Sequence, residues 1–113
     1  MRNRYYLSFP DLSRLRDAGT LAFRSQGAEG LAEELQTALR EDALFQRWRA
    51  MQEDPDAVDT ALGATDPTAT VRGEQHDLKI DLIVVSAIPG TILKHRLRLL
   101  AGSGWQLRDV SAA

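Results

Sequence analysis

The feature that most narrows what this chain can fold into is the run from residue 78 to residue 110. Leu78-Lys79-Ile80-Asp81-Leu82-Ile83-Val84-Val85-Ser86 alternates apolar and polar residues in its first half and is apolar on both faces in its second. That is the pattern of a strand packed on one side and gaining cover on the other. Pro89-Gly90-Thr91 breaks it, and Ile92 to about Leu100 follows with helical spacing. Ala101-Gly102-Ser103-Gly104 ends the helix, and Trp105-Gln106-Leu107-Arg108-Asp109-Val110 has the character of a second strand. The result is a compact β–α–β unit, which sets a fold class and names no reaction.

The rest of the chain supplies further elements. Arg4 to Phe9 is a short strand with Tyr5, Leu7 and Phe9 on one face, stopped by Pro10-Asp11. Asp11 to Gly19 holds a single turn of helix, and Thr20 to Arg24 is a second strand. Gly27 to Arg40 is the cleanest helix, with Leu31, Leu35, Ala38 and Leu39 on one arc and Glu29, Glu33, Gln36 and Arg40 on the other. Asp42 caps a further helix, Ala43 to Gln52, carrying Leu44, Phe45, Trp48 and Met51.

Residues 53–67 contain Glu53, Asp54, Asp56, Asp59 and Asp66, no basic residue and two Asp-Pro steps. This is the composition of an exposed acidic connection, with a brief ordered piece at Val58 to Leu62. Thr68 to Glu74 is a strand that turns through Gln75-His76-Asp77 into the strand beginning at Leu78, most simply as an antiparallel pair.

A shift of about sixty residues lays Leu21-Ala22-Phe23 over Leu82-Ile83-Val84, and Leu31, Ala32 and Leu39 over Ile92, Leu93 and Leu100. Two strand–helix units, each continuing into another strand, give the order βαββαβ. The expectation is therefore one α+β domain over residues 1–113, a ferredoxin-like split βαβ sandwich. Both helices lie on one face of a four-stranded sheet, and the Tyr5–Phe9 strand and the Ala43–Gln52 helix are extras.

Charge and composition remove some function classes. The chain is 43% hydrophobic and 27% charged, which points away from global disorder, and its net charge of −2 argues against a wholly basic nucleic-acid binder. With no cysteine there is no disulfide, thiolate metal site or thiol nucleophile. The basic start, Met1 to Leu7, lacks the apolar core of a signal peptide, and no apolar run reaches membrane-spanning length, so the expectation is a cytoplasmic protein with no membrane association.

No catalytic residue, cofactor site or metal site is assigned. His76 and His95 fall on a turn and on an outer helix face, and His76-Asp77 are neighbours that point to opposite sides of a strand. Neither Gly27-Ala28-Glu29-Gly30 nor Gly102-Ser103-Gly104 has the spacing and lysine of a phosphate loop.

Two groups of residues stand out. Lys79 and Asp81 mark the outer face of the main strand as wet, yet Ile83 and Val85 continue that face as apolar. A patch there needs cover from the N-terminal strand, from the Trp48 helix or from a second molecule. Arg96 falls within the apolar arc of the residue 91–101 helix, where a guanidinium must be paired or reach water along its stem. With Lys94 and Arg98 it forms a candidate anion site, and an ion pair to Asp81 or Asp109 is the structural alternative. The leading expectation is a non-catalytic interaction module that forms a homodimer, or binds a protein partner, through Ile83 and Val85. Anion or nucleic-acid binding through the 91–101 helix is the second, and a small-molecule-binding domain the third.

Overall fold

The computed structural model describes residues 1–113, apart from the side chain of Asp17. Its elements in chain order are β1 (Asn3–Phe9), α1 (Ala28–Arg40), α2 (Ala43–Ala50), β2 (Thr70–His76), β3 (Lys79–Ser86), α3 (Gly90–Ala101) and β4 (Gln106–Ala112). Short 3₁₀ segments occur at Leu12–Ala18, Pro55–Ala57 and Thr60–Gly63. The protein is α+β, with one four-stranded antiparallel sheet in the order β2-β3-β1-β4.

β1 is a central strand, which corrects its expected place as an addition to the sheet. Its register with β3 sets Tyr5 against Val84, Leu7 against Leu82 and Phe9 against Ile80, and its other edge pairs with β4. All six of those side chains are buried on one face. Strict alternation over Tyr5, Leu7 and Phe9 is what a half-buried inner strand requires.

The strand expected at Thr20–Arg24 does not form. Leu21 and Phe23 are buried, as their hydrophobicity demands, but their backbone has other partners. The Phe23 N–H donates to the Leu100 carbonyl, and the N–H groups of Arg24 and Ser25 donate to the Glu34 carboxylate. With those donors satisfied by helices, nothing remains to pair with a sheet. The helix half of the internal echo holds and its strand half does not, because β1 is the strand that precedes α1 in the sheet.

Leu31, Leu35 and Leu39 of α1 and Ile92, Leu93, Leu97 and Leu100 of α3 join the sheet's buried residues in one core, giving two layers. Gly73 on β2 lets α1 approach closely: a Cβ there would sit 2.4 Å from the Ala28 carbonyl oxygen. α1 also covers the outer edge of β2, where the Gln36 side chain accepts from the Val71 N–H and Arg40 donates to the Ala69 carbonyl. The β2–β3 turn is Asp77-Leu78, with Asp77 at a positive φ of 55°.

Most of residues 53–67 is exposed, but Asp66 is buried, against the expectation for an acidic run. Its carboxylate accepts from the Ser86 hydroxyl, the Ala87 N–H, and the N–H and hydroxyl of Thr68, and lies 3.7 Å from Arg2. The Ala87 N–H does most to hold this carboxyl well below the usual carboxylate range; burial opposes it, and Thr68 and Ser86 reinforce it.

Candidate functional site

The sheet presents two unlike surfaces, and the register places every residue of the open one. Along β3, Ile80, Leu82, Val84 and Ser86 are buried towards the helices, while Lys79, Asp81, Ile83 and Val85 are half-buried on the opposite side. Three cross-strand rows span all four strands, and His76 with Lys79 adds a fourth pair on β2 and β3 alone. The first is Thr70, Val85, Arg4 and Ser111; the second is Arg72, Ile83, Tyr6 and Asp109; the third is Glu74, Asp81, Ser8 and Gln106.

Ile83 and Val85 therefore do continue the face marked by Lys79 and Asp81, and Tyr6 and Arg4 lie beside them. Arg4, Tyr6, Thr70, Arg72, Ile83 and Val85 line a shallow depression of about 470 Å³. The Trp48 helix does not supply cover. α2 packs on α1 and on Thr60–Gly63, and Trp48 stacks edge-on against His95 of α3 with ring centroids 4.5 Å apart.

At the far end of this face, His76 Nε2 lies 3.3 Å from Asp81 and 3.5 Å from Glu74. Among the described residues, no group of three or more His, Asp or Glu side chains is arranged to hold a metal ion. The Ser8 hydroxyl is buried and has no partner among the described residues. Beside Gln106, Arg108 donates to the amide oxygen at 3.2 Å, from the irregular register where β4 crosses Tyr6 and Leu7.

The candidate anion site is divided by the fold. Lys94 and Arg98 are exposed on α3, whereas Arg96 is 0% exposed. Its guanidinium donates to the Ala38 carbonyl at 2.7 Å, to the Leu62 carbonyl at 3.0 Å and to the Ala64 carbonyl. Backbone oxygens at the end of α1 and in the connection accept from its two terminal nitrogens, in place of an ion pair to Asp81 or Asp109, while Nε is buried without a partner among the described residues. Burial lowers its pKa, and the charge of Asp42 opposes that shift. His95, expected on an outer face, is half-buried against Trp48. Burial, then Arg96 and Arg98, lower its pKa and favour the neutral ring.

A second depression, about 420 Å³, lies between α1, α2 and residues 20–24. Leu21, Ala38 and Leu100 contribute to its lining with Glu33, Arg24 and Arg47 around them. None of the buried, unpartnered polar atoms found among the described residues belongs to it. Its apolar floor is ringed by charged side chains, among them Glu34, whose carboxylate already accepts from the Arg24 and Ser25 N–H groups.

Sequence reasoning found Ile83 and Val85 but missed Arg4, Tyr6, Arg72 and Asp109. The alternation around Tyr5, Leu7 and Phe9 already put Arg4 and Tyr6 on the reverse face of their strand. Only the central position of β1 brings them beside Ile83 and Val85. Among the described residues no helix is long and apolar enough to cross a membrane. Compared with protein-family models, curated proteins and solved structures, the chain matches none.

Proposed function

We propose that this protein is a non-catalytic interaction module that docks a protein surface, its own second copy or another chain, on the open face of its sheet. The observation that carries this reading is the position of Tyr6, Ile83 and Val85. They stand half-exposed in the middle of the sheet, on the face opposite the helices that bury Leu7, Leu82 and Val84. A sheet face that needs only water usually alternates to polar residues throughout. Here two of the three rows carry apolar or aromatic side chains at their centres. The element order β-α-β-β-α-β around the inserted α2, and the neighbour order β2-β3-β1-β4, support a ferredoxin-like frame. The open face of such a frame is where docking is geometrically free.

Light scattering after gel filtration, at low and moderate salt, tests the reading together with the variants Ile83→Glu and Val85→Glu. The expected result is folded protein that loses its partner or its dimeric mass. Variants that unfold would make these side chains core residues; variants that fold and associate unchanged would move the interface elsewhere.

A further inference from the structure

The three rows of the open face are complementary to themselves, and this identifies the occupant. Resting on the reading of that face as a docking surface, we infer that it binds a second copy of this chain about a two-fold axis running parallel to the strands, between β1 and β3. Such an axis reverses the strand order of the facing sheet. β2 then lies over β4 of the other copy, and β3 over its β1.

The side chains that meet are fixed by the register. In the second row, Arg72 faces Asp109 of the second copy, and Ile83 faces its Tyr6; the symmetry repeats both contacts. In the third row, Asp81 lies over the position of Ser8, whose hydroxyl is already covered within its own chain and takes no part in the contact. Glu74 faces Gln106, with Arg108 bonded beside it. In the first row, Val85 lies against the stem of Arg4. Along its open face β2 carries a positive and then a negative charge, while β4 carries a negative charge and then the Arg108 guanidinium. Each edge strand complements the one placed over it.

The other face-to-face symmetry, with its axis across the strands, lacks this match. Centred between the second and third rows, it pairs Arg72 with Glu74 but sets Ile83 over Asp81 and Tyr6 over Ser8, so no apolar centre forms. Centred between the first and second rows, it sets Val85 over Ile83 but Arg72 over Thr70 and Asp109 over Ser111, so neither charge meets its opposite. Only the axis along the strands joins unlike charges at the rim and apolar groups at the centre, the usual anatomy of a protein interface.

Size sets the expected strength. Four strands of seven or eight residues give a planar footprint of roughly 400 Å² at ordinary strand rise and spacing. A standard interface buries about 800 Å² on each partner. The dimer should therefore exchange with monomer, and its mass should rise with protein concentration.

Charge reversal with mixing tests the arrangement. Arg72 and Asp109 are exposed on edge strands, so Arg72→Glu and Asp109→Arg should leave the fold intact. Each variant alone places like charges at both symmetry-related contacts, and its dimer dissociation constant should rise about tenfold to a hundredfold. Sedimentation equilibrium of a one-to-one mixture should recover the dimer, because every Glu at position 72 then meets an Arg at position 109. The double variant Arg72→Glu/Asp109→Arg should recover it as well, and salt should weaken all of these effects.

Monomer at every concentration in the unaltered protein overturns the inference. So does a dimer indifferent to both reversals, or one not restored by mixing. A dimer indifferent to the charges yet abolished by Ile83→Glu keeps the face as a docking surface and removes this two-fold. A dimer indifferent to all of them removes both.

Discussion

The two faces of one sheet are built from the same strands and obey different rules. Leu82 and Ile83 are neighbours on β3; one is fully buried under the helices and the other is half-exposed opposite them. On the helix side, what matters is volume, because close-packed side chains leave no room to adjust. On the open side, what matters is the kind of group presented, and the same backbone tolerates Arg4, Tyr6, Arg72 and Asp81 in one layer. The contrast teaches that one strand can serve a packed face and an open face at once, with alternation failing only on the open side at Ile83 and Val85.

The contrast breaks most readily on the core side. Arg96→Met should cost the most, about 4 kcal/mol, since it leaves the carbonyls of Ala38, Leu62 and Ala64 without their charged donor. Urea unfolding measures it, and a variant as stable as the parent would mean those oxygens find water. Leu82→Ala should follow at about 3 kcal/mol from lost contacts and the cavity left behind.

Asp66→Asn should act chiefly through pH. The folded carboxyl titrates below its unfolded value, so its contribution is complete above about pH 5 and is lost as pH falls through the unfolded and then the folded range. The acid-side decline in stability, followed by thermal unfolding at stepped pH, should be shallower in Asp66→Asn than in the parent. An identical slope would show that other carboxylates govern acid unfolding. Ile83→Glu should change monomer stability least, by less than about 1 kcal/mol, while altering association. A loss as large as that of Leu82→Ala would erase the distinction between the faces.

How much of this was legible in the sequence depended on whether local pattern or distant pairing decided the outcome. α1 and α3 carry their own periodicity, and both formed within two residues of the expected bounds. β3 and β4 were similarly plain. The Leu21–Phe23 segment misled because it has strand-like residues whose backbone partners, Leu100 and Glu34, are remote in sequence. Asp66 looked like one more exposed acid. Its burial depends on Ser86, Ala87 and Arg2 arriving from elsewhere, which no local pattern encodes. Ile83 and Val85 were visible because alternation failed within a single strand. Arg72 and Asp109 were not visible as a pair, since their relation appears only once strand order is known.

The contacts of Gln36 and Arg40 with the margin of β2 have a further consequence. A bare strand margin is a template on which any extended chain can lengthen the sheet, and repeated addition produces fibres. Here the amide of Gln36 holds the outward Val71 N–H, and Arg40 holds the Ala69 carbonyl. A newcomer at the start of β2 must first displace these two side chains. Open-ended growth is obstructed at that point of the margin.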